Sequence, residues 1–382
     1  MTDTHMPSTT PRDFVANPNL DRARAYDAPL QSILSLEAAE TARKAITAWD
    51  GYAPTPLHDL SALADKLDVA KVFYKDEGHR FGLKSFKALG GAYAVDRLVA
   101  VRGKDGLTVA CATDGNHGRS VAWGARRAGV KAVIYVHETV SEGRAEAIRS
   151  YGATVVREGR TYDDSVRACA EAAKANGWQI VSDTSWPGYE DVPKDVMQGY
   201  ALLAMETEAQ GAAPTHVFVQ GGVGGLAAGV LSYPWEKSGA ARPIFVVVEP
   251  ETAACLFESA KAGAVTPVGG DLDTIMAGLA CGEPSILAWR VLQPGADAFM
   301  TIRDTAAADA MRLLADLGVV GGESGVAGLA GLIKAAADPA LRQALKLDGN
   351  SRVLCYGTEG ATDAEVYRQI VGREAKDIAS SA

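Results

Sequence analysis

The chain has 382 residues, with 38 lysines and arginines against 47 aspartates and glutamates, a formal charge of −9. Its 47% hydrophobic and 22% charged residues mark a folded chain rather than a disordered one, long enough for two domains or one large α/β unit. The acidic balance excludes a mainly electrostatic binder of nucleic acid or anionic membrane. No stretch reaches the roughly 18 uninterrupted apolar residues of a membrane span.

The opening MTDTHMPSTTPRDF has no basic-then-apolar pattern, which predicts a cytoplasmic protein rather than an exported one. Cysteine usage agrees. Cys111, Cys169, Cys255, Cys281 and Cys355 form no CxxC and no zinc-type spacing. Cys255 and Cys281 are expected to be two buried thiols, as suits a reducing compartment. No structural metal is expected.

In chain order, an irregular arm comes first. SLEAAETARKAITAW then predicts a helix capped by Ser35, with acids early and bases late. KVFYKDE (71–77) reads as a strand and FGLKSFKALGGAYAV as a loop entering a helix. Strands follow at 107–113, 131–137, 154–159 and 179–184, alternating with helices that end near Gly129, Gly152 and Gly177. After helix VMQGYALLAMETEAQ come strands THVFVQ (215–220) and PIFVVVEP (243–250), each followed by a helix. Helices near 305–317 and 325–347 precede a last strand, RVLCYGTEG.

Strand and helix patterns in alternation imply βαβ units and parallel sheets. The predicted fold is two α/β lobes, each an open, mostly parallel twisted sheet flanked by helices. A larger domain would take residues 1–87 and 206–382, and a smaller inserted one residues 88–205.

Ligands of such sheets bind at the carboxyl ends of the strands, and the segments that carry chemistry lie there. GGVGG (221–225) follows one strand and opens a helix; glycine N–H groups and the helix dipole would cradle an anion. It has neither the Lys-Ser/Thr of a P-loop nor GxGxxG spacing, so a tight packing turn explains it equally well by itself. TDGNHG (113–118) offers Asp114 as an acid and Asn116 as an amide donor, or else an Asx turn capping the next helix. His117 reads as a packing or capping residue.

In SFKALGG (85–91), Lys87 sits between apolar neighbours at a helix start, where desolvation and the dipole predict a lowered pKa suited to Schiff-base chemistry. Lys84 reads as a solvated loop charge. CYGTEGATD (355–363) offers the Thr358 hydroxyl, and SDTSW (182–186) puts Asp183 at a further strand end. Each has a bland reading as a turn or cap. Together they supply an amine nucleophile, a phosphate cradle, an amide, a hydroxyl and two carboxylates, the inventory that pyridoxal phosphate requires.

The chain resembles the fold type II pyridoxal-phosphate enzymes, and within them the diaminopropionate ammonia-lyase family. The similarity runs from about residue 50 to 370 through FGLKSFKALGGAYA, ATDGNHGR, SDTSW, MQGYALLAME, GGVGG, IMAGLACGEPS, GESG and GTEGATD. The resemblance implies that Lys87 carries the cofactor aldehyde as a Schiff base. It also implies that Asn116 bonds the ring 3′-oxygen, that Gly221, Gly222, Val223, Gly224 and Gly225 hold the phosphate, and that Thr358 faces the pyridine nitrogen. A neutral hydroxyl there moderates the electron sink, which suits expulsion of a β-leaving group.

Asp114 departs from the serine usual in serine/threonine dehydratases. It would be the base on one face of the substrate, with Asp183 or the freed Lys87 on the other, or it would bind a substrate amino group. The implied reaction is elimination from 2,3-diaminopropionate, giving an aminoacrylate that hydrolyses to pyruvate, with two ammonia released. The implied assembly is a homodimer acting on a small amino acid. Two alternatives accompany this reading. One is a dehydratase of serine, threonine or a 3-hydroxyaspartate (less readily a β-replacement synthase); the other is a cofactor-free nucleotide-binding α/β module.

Overall fold

The computed structural model describes residues 13–113 and 115–379. Eleven strands occur among them: β1 Phe14–Ala16, β2 Leu57–Asp59, β3 Lys71–Asp76, β4 Thr108–Ala112, β5 Lys131–Val136, β6 Thr154–Arg157, β7 Gln179–Ile180, β8 His216–Gln220, β9 Ile244–Pro250, β10 Ala298–Ile302 and β11 Arg352–Gly357. They make two sheets. One has seven strands in the order β1-β10-β9-β8-β11-β3-β2, and the other has four in the order β6-β5-β4-β7. The small sheet is parallel throughout. The large sheet is parallel except for its two edges, where β1 and β2 run antiparallel to their neighbours. The chain begins in the large sheet, builds the small one between β3 and β8, and returns.

Burial follows from the period of two along a strand. Val217 and Val219 of β8 enter a core that continues through Val247, Leu354, Ala92 and Val109 into the small sheet. Phe218, between them, enters a second core with Val246, Met300, Val353 and Leu329 on the opposite face of the large sheet. Both faces of the central strands are therefore covered, which is why these strands read as unbroken apolar runs.

Local signals placed most helices. Ser35 accepts from the Ala38 N–H at the start of helix Leu36–Thr47. Thr161 and Asp164 close a reciprocal capping box on helix Tyr162–Asn176. Four expectations need correction. The helix expected over 325–347 is two, Ala327–Ala337 and Pro339–Leu345, because Pro339 cannot continue the first and Asp338 caps the second. The helix expected to close at Gly152 stops at Arg149. The strand expected over 179–184 keeps only two residues, the rest turning away into the site. Strands β1, β2 and β10 had no reading at all; two are three-residue edges too short for a periodic signal.

Three helices meet behind the site at glycines. A Cβ on Gly90 of helix Ala88–Arg102 would lie 2.5 Å from the Tyr200 ring, and one on Gly199 of helix Asp191–Ala209 would lie 1.9 Å from the Leu89 carbonyl oxygen. One on Gly229 of helix Gly225–Ser238 would lie 2.6 Å from the Met197 carbonyl oxygen. Hydrogen at these positions lets the backbones nearly touch. Helix Asp191–Ala209 is also tied to β3 by charge: its Glu206 meets the Lys75 ammonium at 2.7 Å and the Arg80 guanidinium at 2.8 Å, all buried.

Candidate active site

Strand β8 ends at Gln220, and residues 221–225 turn into helix Gly225–Ser238. Gly224 has φ +97°, open to glycine and strained for other residues. The Gly221 N–H is already donated to the Val248 carbonyl at 2.8 Å, so of the expected cradle it is the one member without a free donor. Among the described residues, no acceptor takes the N–H groups of Gly222, Val223, Gly224 and Gly225. Four consecutive open donors at a helix N-terminus form an anion nest, which fits a phosphate. A Cβ on Gly222 would come 3.3 Å from Cys281 Sγ, so the nest is lined closely. Cys255 is a buried thiol whose sulfur donates to the Gly222 carbonyl.

Lys87 stands at the head of helix Ala88–Arg102, held through its N–H to Ser85 Oγ. Its Nζ donates to Asp183 Oδ2. Asp183 abuts the cradle, since a Cβ on Gly225 would lie 3.4 Å from the Asp183 carbonyl oxygen. The lowered lysine pKa expected from the sequence is not what the site produces. Burial pulls the ammonium down, but the Asp183 carboxylate outweighs it and holds Lys87 above its ordinary value. In turn, burial pushes Asp183 up while Lys87 and then His117 hold it well below the usual carboxylate range. The partner lies 96 residues away in the chain, so no local reading of Lys87 reveals it.

Thr358 follows β11 and is buried. Gln220 Nε2, which can only donate, lies 2.5 Å from its hydroxyl oxygen and also faces the Tyr356 and Gly325 carbonyls, so two amide hydrogens are shared among three acceptors. With the oxygen engaged as acceptor, the Thr358 hydrogen is left to donate to a ring nitrogen. The Thr358 carbonyl accepts from the Phe86 N–H at 3.0 Å, which joins this loop to the residue before Lys87.

Asn116 begins helix Asn116–Ala128 and faces the loop after β11. Its amide nitrogen donates to Glu359 Oε2 and its oxygen accepts from Arg119 at 2.9 Å. One amide hydrogen remains for a ligand oxygen. Glu359 also accepts from the Ser324 N–H, and Glu323 sits beside it, its carboxyl pushed upward by burial and by Glu359. Asp114 lies outside the described residues. Lys84 is exposed, with its Nζ on the Ala361 carbonyl at 3.0 Å, as its reading as a loop charge anticipated.

Gln220, Glu323 and Glu359 join the residues expected from the sequence, and His117, expected there as a packing or capping residue, lies against Asp183. Gln220 carried one signal, an amide ending an otherwise apolar strand directly before the glycines. His117, Tyr200, Gln220 and Glu323 each bury a side-chain polar atom with no partner among the described residues. Each lies beside a residue of the candidate site, His117 by Asp183, Tyr200 by Lys87, Gln220 by Thr358 and Glu323 by Glu359, and unpaired polar atoms there suit a polar ligand. The cradle, amine, hydroxyl and amide thus fit an aromatic aldehyde carrying a phosphate.

Residues 48–359 match the model of the pyridoxal-phosphate dependent enzymes, and the chain belongs to that family; its cofactor is pyridoxal phosphate. Over 374 residues it is 39% identical to the diaminopropionate ammonia-lyase of Escherichia coli strain K12, a match covering 91% of this chain and 94% of the relative. The diaminopropionate ammonia-lyase of Salmonella typhimurium strain LT2 is 40% identical over 363 residues, covering 85% and 90%. The crystal structure of the Escherichia coli enzyme in complex with an aminoacrylate-PLP azomethine reaction intermediate matches with a TM-score of 0.87 and 38% identity, over 94% of this chain and 96% of that one. Within the pyridoxal-phosphate enzymes, then, the chain is a member of the diaminopropionate ammonia-lyase family, and the fold type II class expected from its sequence stands.

Proposed function

We propose that this protein converts 2,3-diaminopropionate and water to pyruvate and two molecules of ammonia. The observation that carries this is the acidic setting of the reactive lysine: Asp183 on Lys87, with Glu359 on Asn116 and Glu323 beside it. A substrate with a second ammonium group wants carboxylates around it. Lys84, the cation that would favour an acidic substrate, is anchored on a carbonyl instead.

When bound, pyridoxal phosphate supplies an aldehyde for the substrate amine and a ring that delocalises the electron pair left at Cα. The protein does the rest. Lys87 would hold the aldehyde, and the N–H groups of Gly222, Val223, Gly224 and Gly225 would bind the phosphate. Thr358, fixed by Gln220, would donate to the pyridine nitrogen, and the spare Asn116 hydrogen would go to the ring oxygen. Asp183 would take or hold the Cα proton on one face of the substrate, with Asp114 assigned from the sequence to the other enantiomer, and the β-amine would leave with a proton. The small sheet built between β3 and β8 supports an inserted smaller lobe, drawn from the sequence as residues 88–205, although the boundary at 205 falls inside helix Asp191–Ala209; a cleft beside that lobe would hold the substrate. Buried thiols at Cys111, Cys169, Cys255 and Cys355 support a cytoplasmic setting. The family likeness supports a homodimer, which light scattering on the purified chain tests directly.

The deciding experiment is parallel turnover of diaminopropionate, serine, threonine and 3-hydroxyaspartate, followed by oxo-acid and ammonia release. Diaminopropionate is expected to lead, with two ammonia per pyruvate. Its inertness beside active serine or threonine would replace this reading with that of a dehydratase.

A further inference from the structure

His117 is 7% exposed, and its Nε2 lies 2.8 Å from the Val181 carbonyl oxygen. A carbonyl only accepts, so Nε2 carries the hydrogen and Nδ1 keeps a lone pair. Nδ1 is buried without a hydrogen-bond partner among the described residues and stands 3.7 Å from Asp183 Oδ2. That same oxygen takes the Lys87 Nζ. Two acceptors therefore face each other, the ring nitrogen cut off from water and the carboxylate only partly exposed, next to the cation that shares one of them. One proton between them would turn an unfavourable contact into a charge-assisted hydrogen bond.

We propose that His117 and Asp183 form a one-proton store that fills when the Lys87 nitrogen loses its charge. The balance closes within the three side chains. An ammonium, a carboxylate and a neutral imidazole sum to zero charge, and so do a neutral amine nitrogen, a carboxylate and an imidazolium. The proton leaves Nζ, crosses Oδ2 and ends on Nδ1; it travels back when the Lys87 amine is protonated again. The proposal rests on the reading of Lys87 as the cofactor-bearing residue, whose nitrogen must alternate between ammonium, amine and bound forms.

The described surroundings support this store. Burial keeps His117 from charging, Asp183 pulls it towards the charged form, and Lys87 opposes that pull. Lys87 is also the foremost charge holding Asp183 ionised. Removing the lysine charge thus raises the proton affinity of both partners at once. Among the described residues, the other titratable groups facing the pair are Tyr200, Tyr189, Cys111 and, beside Lys87, Cys281. Burial holds Tyr200, Tyr189 and Cys111 in their neutral forms, and the Tyr189 hydroxyl is spent on the Ile180 carbonyl.

The test is a nitrogen-15 NMR titration of histidine-labelled full chain without cofactor. In wild type at neutral pH, the His117 shifts are expected to show a protonated Nε2 and a bare Nδ1. In Lys87→Met, the His117 midpoint is expected to rise by about one pH unit or more, a roughly tenfold gain in proton affinity. Adding Asp183→Asn is expected to cancel the rise, and the charge-keeping Lys87→Arg to prevent it. An unmoved midpoint in Lys87→Met, or a rise that survives Asp183→Asn, overturns the store. A proton on Nδ1 in the wild type overturns it without any variant. Diaminopropionate turnover is a separate readout: a chain that shows the coupled shift but makes no pyruvate sinks the proposed function alone.

Discussion

The Gly199→Ala substitution probes how the fold sets the distance between lysine and phosphate cradle. Helix Asp191–Ala209 lies between the helix that Lys87 heads and the helix that the cradle opens, with glycines at both contacts. A Cβ on residue 199 would sit 1.9 Å from the Leu89 carbonyl oxygen, where ordinary contact begins at 3.4 Å, so the two backbones must part by about 1.5 Å. Overpacking of this kind costs about 1–3 kcal/mol of stability. A misplacement on the scale of 1 Å costs roughly 10²-fold in rate when reacting groups lose alignment. The assay pairs urea unfolding with pyruvate formation and the visible absorbance of bound cofactor. Gly143→Ala, on an exposed helix with nothing within 4 Å of the new methyl, is the control. It is expected to leave activity unchanged and to add about 0.5–1 kcal/mol of stability. Wild-type stability and turnover in Gly199→Ala would refute the claim that helix contact fixes Lys87.

Other outcomes follow from the same geometry. Asp114→Asn and Asp183→Asn are expected to damage opposite enantiomers of diaminopropionate unequally, by about 10²-fold or more on the face that loses its base. Equal losses on both enantiomers would assign the two carboxylates to positioning. Glu206→Ala leaves the buried Lys75 and Arg80 cations without their shared carboxylate and is expected to cost about 3–5 kcal/mol in denaturant unfolding. A loss under about 1 kcal/mol would mean that Glu77, which also accepts from the Arg80 guanidinium at 2.8 Å, suffices. The hydrogen bond to Asp76 raises the His79 pKa. A raised histidine pKa contributes stability that is complete below the unfolded value and lost as pH rises through the folded one. His79→Gln is therefore expected to lower stability at about pH 5.5 and to leave it nearly unchanged at about pH 9, above the ordinary histidine range near 6.5. The opposite trend would show that Asp76 does not hold the charged ring.

The sequence alone determined what depends on neighbours in the chain. Alternating apolar runs and capped helices fixed the parallel α/β architecture, because strand period and helix capping are local properties. The motif strings singled out Lys87, Asn116, residues 221–225, Thr358 and Asp183 as candidates for one site, because most of them follow strand ends where such sheets bind ligands, while Lys87 heads a helix.

Tertiary structure decided what each of these residues is next to. Lys87 gained its carboxylate from a turn 96 residues downstream, which reversed the direction of its pKa. Gln220 became the acceptor-setting partner of Thr358 only when β8 and β11 paired side by side. His117 became a facing acceptor rather than a packing ring because Val181 fixed its tautomer. Edge strand β1 owes its existence to β10, against which it pairs. Local patterns fix which elements form, whereas charge, tautomer and desolvation are sums over neighbours in space that no window of sequence contains.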